Sequence, residues 1–218
     1  MRGPEVEPSL YAADFSRLGE QIETLLQAGA RIFHFDVGDA HFVPPVTIGP
    51  IVLQWISPIV HAVGGRLDCH LMVDQPERHL EAIAEAGGDS VTFHFEVAED
   101  VEALASQARA HGLAAGLAFN PQTEPEQVAE VAEPVDLVLC MSINPGYSGQ
   151  AFMPESFGRI ERLRAYLPPE KHVQVDGGVG LDNVGRLREA GADLLVAGTS
   201  IFSAEDIAAA YRELAELT

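Results

Sequence analysis

The chain has 218 residues, of which 47% are hydrophobic and 21% charged, so it suits one large folded domain or two small ones and excludes a disordered chain. Its formal net charge of −20 argues against nucleic acid and anionic membranes as partners, because both would repel the protein. No apolar run reaches membrane-spanning length, and residues 1–8 hold no signal-peptide core. We therefore expect a cytoplasmic protein whose two cysteines, Cys69 and Cys140, are buried thiols.

Short β-prone runs alternate with segments of helical periodicity along the whole chain. Strands are expected at residues 6–12, 30–36, 65–70, 89–94, 113–119, 136–141, 172–176 and 194–197. Helices are expected at residues 14–28, 50–56, 76–86, 101–110, 126–131, 155–166, 182–190 and 204–217. These eight strand–helix units predict an α/β fold, a single-domain (β/α)8 TIM barrel over residues 1–218. A doubly wound open sheet is the alternative, but it usually has a glycine-rich turn after its first strand, and Pro8-Ser9-Leu10 is not one.

Histidine and aspartate stand near the ends of three predicted strands. His34 and Asp36 are two residues apart and therefore share one face of the second strand, while His70 ends the third and Asp176 the seventh. Because the strand ends of a barrel meet around one opening, we expect these four side chains to bind one divalent metal ion. Two imidazoles and two carboxylates suit Zn²⁺, Fe²⁺, Mn²⁺ or Co²⁺ and not Ca²⁺.

Two further polar pairs lie close to these predicted ligands. His94 ends the fourth strand, and Glu96 is the next residue on the same face. His94 is expected either to bind the ion itself or to lie behind the residues that do. Asp39 and His41 are expected to shape the loop after the second strand.

Three glycine-containing loops follow predicted strands six, seven and eight, at residues 144–149, 176–178 and 197–200. Glycine lets backbone N–H groups approach an anion closely, and barrels often hold phosphate after strands seven and eight. None of these loops contains lysine or arginine. We therefore expect a phosphate held by backbone amides without fixed cations.

The two predicted sites together indicate a reaction. A small phosphorylated substrate held by the loops would place its other end over the metal ion, flanked by Asp36 and Asp176 from well-separated strands. The ion would polarise a carbonyl and stabilise an enediolate, while one carboxylate removes the neighbouring proton and the other returns it to the opposite face. The expected outcome is inversion at that carbon.

The motifs around these residues resemble those of the ribulose-phosphate 3-epimerase family, and the likeness runs from about residue 8 to residue 202. The matching stretches are residues 8–10 with 13–15, 34–44 with 47–50, 68–73, 120–121, 141–146, 175–179 and 196–199. The resemblance implies a (β/α)8 barrel of the pentose phosphate pathway that acts on a small phosphorylated ketose and forms a homodimer or hexamer. It implies a divalent metal on His34, Asp36, His70 and Asp176, with the two aspartates as the acid/base pair. It also implies substrate contacts from Ser9, His70, Met72, Met141, Gly146, Tyr147, Ser148, Gly149, Asp176, Gly177, Gly178, Gly198 and Thr199.

Some positions depart from the family pattern. They are Ala12, Gly38 to Ala40, Gln122, and Tyr147 with Ser148. The family usually has methionine at the position of Gly38, so we expect the glycine to leave room near the substrate. None of the departures removes a predicted metal ligand.

The expected function is interconversion of D-ribulose 5-phosphate and D-xylulose 5-phosphate by a metal-dependent epimerase. The alternatives are an epimerase of a related ketose phosphate such as a hexulose 6-phosphate, a barrel lyase acting on a sugar phosphate, and a non-catalytic sugar-phosphate sensor. Related lyases usually pair aspartate with lysine near the second or third strand. Lys171 is the only lysine in this chain, and His70 stands in that region, so the lyase is disfavoured.

Overall fold

Eight parallel strands alternate with helices along residues 5–218, the part of the chain that this computed structural model describes. The strands are β1 Glu5–Pro8, β2 Ile32–Gly38, β3 Arg66–Met72, β4 Ser90–His94, β5 Ala114–Phe119, β6 Leu137–Met141, β7 His172–Asp176 and β8 Leu194–Ala197. The α-helices are α1 Leu18–Ala28, α2 Pro50–His61, α3 Leu80–Glu85, α4 Val101–Ala110, α5 Pro125–Val131, α6 Ser156–Tyr166, α7 Val184–Glu189, α8 Thr199–Phe202 and α9 Ile207–Glu216. The prediction for the N-terminal segment falls partly outside the described residues, at positions 1–4.

The sheet curls into a barrel. Its strand order is β1-β8-β7-β6-β5-β4-β3-β2, with every ladder parallel, and an isolated parallel bridge between Ser9 and His34 joins the two ends. The predicted (β/α)8 barrel is confirmed, and the doubly wound open sheet is wrong. Closure matters for function because it brings the carboxyl ends of all the strands around one opening.

Both faces of the strands are buried, but the two faces differ in polarity. Along β2, Phe33 and Phe35 belong to the apolar layer that packs against the helices, whereas His34 and Asp36 lie in the barrel interior. The same alternation places polar side chains inside on β1, β3, β4 and β7. They include Glu7, Asp68, His70, Thr92, His94 and Gln174, all of them buried. The barrel interior therefore has a polar side that leads up to the opening, beside an apolar cluster formed by Ala118, Leu139, Met141 and Ile143.

The first helix shows how local sequence fixes an element. Leu18, Ile22, Leu25 and Leu26 recur at helical spacing and are all buried against the barrel. Gly29 ends α1 at φ 115°, a left-handed conformation that glycine adopts without the penalty of a side chain. The helix predicted from residue 14 therefore begins four residues later, after a short 3₁₀ turn, and ends where glycine requires it.

Several predicted boundaries differ from the structure. The first strand was expected to reach residue 12, but it ends at Pro8, because the Ala12 and Ala13 N–H groups donate to Ser9 and Leu10 carbonyls and form a tight 3₁₀ turn. Strands β2 and β3 each extend two residues further than expected. Helix α8, directly after β8, was not predicted. None of the helices described here has the length and apolar character needed to cross a bilayer.

Candidate metal centre and substrate cleft

The four predicted ligands come together at the carboxyl end of the barrel. Strand register places Asp36 on β2 beside His70 on β3. His70 Nδ1 lies 3.2 Å from Asp36 Oδ1 and 3.8 Å from Asp176 Oδ2, while His34 Nε2 lies 3.3 Å from Asp36 Oδ1. One nitrogen or oxygen atom from each of the four side chains lies within 4.8 Å of those of the others. The barrel therefore concentrates two imidazoles and two carboxylates at one point.

This cluster fits a divalent metal ion. His34 Nε2 is buried and has no hydrogen-bond partner among the described residues, although it faces the carboxylate of Asp36. A buried ring nitrogen of this kind needs a partner, and a cation supplies one. Two imidazole nitrogens with two carboxylate oxygens form a donor set typical of first-row transition metals and zinc.

The orientation of His34 is fixed from the side opposite the cluster. Its Nδ1 lies 3.1 Å from Asp68 Oδ2, and a carboxylate can only accept, so the proton of the neutral ring lies on Nδ1. Asp68 is itself held by the Ser90 hydroxyl at 2.6 Å and the Gln174 amide at 2.8 Å. Asp68 therefore leaves His34 Nε2 free to face an ion. Sequence reasoning missed this role of Asp68, although its spacing of two from His70 indicates the same face of β3.

The two acid/base candidates have opposite electrostatic surroundings. Burial acts to raise the pKa of Asp36, but electrostatic attraction to the His34 and His70 rings, 3.3 and 3.2 Å away, outweighs it and holds this pKa well below its usual range. Burial raises the pKa of Asp176 to about 7, and the nearby Asp36 carboxylate acts in the same direction. A carboxylate and a protonatable carboxyl group thus face one space, which is the arrangement that paired proton transfer needs.

A second buried carboxyl group lies beneath this centre. The Gln174 amide donates to Glu7 Oε2 as well as to Asp68 Oδ2, so it bridges two acids inside the barrel. Burial raises the pKa of Glu7 to about 8, and the charge of Asp68 adds to this effect. Glu7 therefore carries a proton at neutral pH.

His94 lies behind the four-residue cluster and does not join it. Its Nε2 is 2.8 Å from His70 Nε2, and its Nδ1 is 3.2 Å from Glu96 Oε2. Burial lowers the pKa of His94 to about 4. Burial acts to raise the pKa of Glu96, but hydrogen bonds from His94, Thr123 and Asn120 together lower it to about 2. Of the two roles expected for His94, the structure supports the one behind the ligands.

A cleft opens directly above the cluster. Its walls contain all the residues predicted to contact substrate except His70, which is buried below: Ser9, Met72, Met141, Gly146, Tyr147, Ser148, Gly149, Asp176, Gly177, Gly178, Gly198 and Thr199. Tyr11, Ile143, Pro145, Val179 and Val196 line it too, and sequence reasoning missed them. No lysine or arginine lines this cleft within residues 5–218. The Ser9 hydroxyl donates to Asp36 Oδ2 at 2.8 Å and links the cleft to the metal centre.

Two glycines of the cleft lie close to neighbouring residues, and Gly178 is required there. Gly178 has φ 65°, and a Cβ there would lie 2.6 Å from the backbone nitrogen of Phe152. A Cβ at Gly198 would lie 3.2 Å from Ala12 Cβ. At these two positions the loop backbone carries no side chain, and at Gly178 none could be added without a shift of Phe152.

The loop after β2 corrects one expectation. We expected Gly38 to leave room near the substrate, but a Cβ at this position would lie 2.9 Å from Val43 Cγ2 and 3.1 Å from the Pro45 carbonyl oxygen. The loop itself fills the space. Asp39 shapes this loop as predicted, because its carboxylate accepts the N–H groups of His41, Phe42 and Asp74.

The fold and the site define a (β/α)8-barrel protein with a candidate metal centre beneath a glycine-lined cleft. The model of the "Ribulose-phosphate 3 epimerase family" matches residues 5–202. A ribulose-phosphate 3-epimerase of Schizosaccharomyces pombe is 40% identical over 201 residues, which cover 92% of this chain and 88% of the relative. A ribulose-phosphate 3-epimerase of Escherichia coli K12 is 39% identical over 204 residues, which cover 92% of this chain and 90% of the relative. The chain therefore belongs to the ribulose-phosphate 3-epimerase family.

Solved structures show the same architecture in more distant proteins. A 3-hexulose-6-phosphate synthase superposes with a TM-score of 0.70, covering 98% of this chain and 99% of its own, at 18% sequence identity. Identity this low supports a shared fold only. Function must be argued from the residues of the site.

Proposed function

We propose that this protein is a metal-dependent epimerase that interconverts D-ribulose 5-phosphate and D-xylulose 5-phosphate. The observation that carries the proposal is the convergence of Asp36 and Asp176 with two histidines beneath the cleft, in a chain of this family. The metal ion is one of Zn²⁺, Fe²⁺, Mn²⁺ or Co²⁺, bound by His34, Asp36, His70 and Asp176.

The substrate phosphate is held by backbone amides of the loops that follow β6, β7 and β8. This arrangement is supported by the glycines on the cleft wall and by the lack of cationic side chains in the described lining. Amide groups bind an anion without bringing a fixed positive charge near the metal ion. Thr199 begins helix α8 beside these loops and adds a hydroxyl group.

The sugar end lies over the cluster. Met72 and Met141 are almost fully buried and line the floor of the cleft, so they exclude water from the reacting carbon. The Ser9 hydroxyl orients Asp36 through its hydrogen bond, and the fully buried His70 helps to form the metal centre beneath the sugar. The ketose is thereby held with its third carbon between the two carboxyl groups.

Proton transfer is performed by Asp36 and Asp176. They come from β2 and β7, which are separated in the barrel by β1 and β8, so they approach the substrate from different sides. An ion held by His34, Asp36, His70 and Asp176 would supply Lewis acidity to the substrate carbonyl. Asp36 accepts the C3 proton as a carboxylate, and Asp176 delivers a proton to the opposite face. In the reverse direction the two groups exchange roles.

The alternative lyase chemistry lacks a lysine at the site. The Lys171 ammonium group donates to the Glu133 and Val135 carbonyls, at the amino end of β7, the end of the barrel away from the cleft. A Schiff base at the metal centre is therefore not supported.

We further propose that the protein is a homo-oligomer, a dimer or a hexamer. Support comes from an apolar patch on the outer surface, here called the Trp55 patch, formed by Phe15, Ile51, Trp55 and Ile59. Trp55 is 75% exposed and Ile51 70% exposed in the single chain. Large apolar side chains grouped on a surface are typical of protein interfaces, and a second copy of this chain would cover them.

A coupled assay tests the epimerase proposal. Purified protein is stripped with a chelator, each of the four ions is added back separately, and D-ribulose 5-phosphate is supplied. We expect D-xylulose 5-phosphate to form with at least one ion and not with the stripped protein. Turnover confined to a hexulose 6-phosphate, release of formaldehyde or CO₂, or substrate binding without turnover would contradict the proposal.

A further inference from the structure

A hydrogen-bonded chain runs from His70 to the protein surface. His70 Nε2 lies 2.8 Å from His94 Nε2, and His94 Nδ1 lies 3.2 Å from Glu96 Oε2. Both rings are fully buried, whereas 24% of the Glu96 side chain is exposed. The chain therefore joins a carboxylate at the surface to the candidate metal centre through two imidazoles.

Hydrogen-bonding chemistry decides where the protons lie along this chain. A carboxylate only accepts, so Glu96 requires the proton of His94 to be on Nδ1. His94 Nε2 then offers a lone pair, and the proton between the two rings must belong to His70 Nε2. His70 Nδ1, which faces Asp36 and Asp176, is left with a free lone pair.

We propose that His94 and Glu96 are positioning residues that hold His70 in the tautomer that binds the metal ion. This proposal rests on the metal site proposed above. The opposite tautomer would place a proton on His70 Nδ1, where it would donate to Asp36 Oδ1, 3.2 Å away, and exclude an ion. A hydrogen bond to a carboxylate is strong, so the ion-free site favours that competing tautomer. The His94–Glu96 pair opposes it from the other side of the ring.

The position of Glu96 is itself fixed by its neighbours. Its Oε1 accepts the backbone N–H of Asn120 at 2.8 Å and the hydroxyl of Thr123. Because a backbone N–H can only donate, the atom at the Oε1 position must be an acceptor. A glutamine at this position would therefore turn its oxygen toward Asn120 and its NH₂ group toward His94.

The Glu96→Gln variant is consequently the sharpest test, because it keeps the size of the side chain and reverses its hydrogen bond. Its NH₂ group would donate to His94 Nδ1, move the His94 proton to Nε2 and force a proton onto His70 Nδ1. We expect the zinc affinity of substrate-free protein, measured by competition with a chromophoric chelator, to fall about 10- to 100-fold. The matched control is Glu99→Gln, a change at an exposed glutamate three residues away, which should keep wild-type affinity.

A second measurement needs no variant. Long-range ¹H–¹⁵N NMR spectra of the zinc-loaded wild-type protein, labelled at histidine, report the tautomer of each ring. We expect His94 to be protonated on Nδ1 and His70 on Nε2, and both assignments to reverse in zinc-free Glu96→Gln. Wild-type zinc affinity in that variant, or a wild-type His94 protonated on Nε2, would overturn the proposal. Neither readout involves turnover, so both are independent of whether the protein is an epimerase; wild-type protein that binds no zinc would overturn the metal site and this proposal with it.

Discussion

Asp36 and Asp176 carry the same functional group, yet their surroundings separate their pKa values. Asp36 lies against two imidazoles, whereas Asp176 has only one at 3.8 Å and is repelled by Asp36. Glu7 shows the same principle away from the cleft, since burial and the charge of Asp68 raise its pKa to about 8. The interior of the barrel therefore holds one carboxyl group that is protonated at neutral pH and has no part in the proposed reaction.

Replacement of this group, Glu7→Gln, should change how stability depends on pH. Because the pKa of Glu7 is raised in the folded state, this group stabilises the fold. That stabilisation is fully present below 4.5, the pKa of the group in the unfolded chain, and is lost as pH rises toward 8. The loss is at most about 5 kcal/mol, at 1.36 kcal/mol for each pKa unit. Glutamine replaces the protonated acid without titrating. In urea unfolding of the metal-free proteins, the unfolding free energy of the variant should therefore rise relative to that of wild type between pH 5 and pH 8. An equal difference in unfolding free energy at both pH values would show that Glu7 is ionised in the fold.

For individual residues, the side chains that point into the barrel could be predicted from the sequence, but the hydrogen bonds between them could not. His34, Asp36, His70 and Asp176 could be predicted because a spacing of two defines a strand face and strand ends converge. The hydrogen bonds of Asp68 and His94 depend on which strands are neighbours and on their register. Neither can be read from the residue pattern of a single sequence. The path of the loop that fills the space beside Gly38 could not be predicted for the same reason.

Among the elements of the fold, the loops after β6, β7 and β8 form the proposed phosphate site through backbone conformation. Gly178 combines a positive φ with backbone contact to Phe152, so its lack of a side chain is a structural requirement. Gly158, in helix α6, is exposed, and a Cβ added there would meet nothing within 4 Å. These two glycines allow the same substitution to be compared at a strained and at an unstrained position.

Gly178→Ala should weaken phosphate binding, because the added Cβ displaces the loop. We expect a loss of about 1–3 kcal/mol in folding stability and a KM for the phosphorylated ketose raised about tenfold or more. Gly158→Ala should instead add about 0.5–1 kcal/mol to stability and leave kcat/KM unchanged. Thermal unfolding and steady-state kinetics of the two variants provide the comparison. Wild-type kinetics in Gly178→Ala would show that this loop does not hold the phosphate.

The order of the elements was predictable, and their ends were less so. Strand–helix alternation is visible in the sequence because each element has its own periodicity. The end of β1 at Pro8 and the short helix α8 depend on hydrogen bonds formed in the folded chain, such as those from Ala12 and Ala13. These ends matter here, because Ser9 and Thr199 lie at them and line the cleft.

The molecule as a whole combines a net charge of −20 with an exposed apolar patch. Like charge opposes association of two copies, so an oligomer must gain enough from apolar burial to outweigh that repulsion. The Trp55 patch provides the apolar area, since it includes Trp55 and Ile51, two of the most exposed large hydrophobic side chains of residues 5–218.

Trp55→Asp should therefore shift the protein toward monomer, because it places a further negative charge in the proposed interface. Light scattering coupled to size-exclusion chromatography measures the mass directly. The matched control is Leu181→Asp, which adds the same charge at an exposed leucine outside the patch and should leave the assembly intact. A monomeric wild-type protein, or a Trp55→Asp variant with wild-type mass, would contradict the proposed assembly.

The paired action of Asp36 and Asp176 is tested most directly by following the C3 hydrogen in D₂O. Wild-type protein should convert either pentulose 5-phosphate into its epimer with deuterium at C3. Asp36→Asn and Asp176→Asn, each supplied with excess metal and checked for bound ion, should epimerise at least about 100-fold more slowly, because each lacks one of the two proton-transfer groups. The exposed control Asp182→Asn should match wild type. Epimerisation at the wild-type rate by either single variant, measured by NMR with a bound ion in place, would contradict the two-carboxylate account.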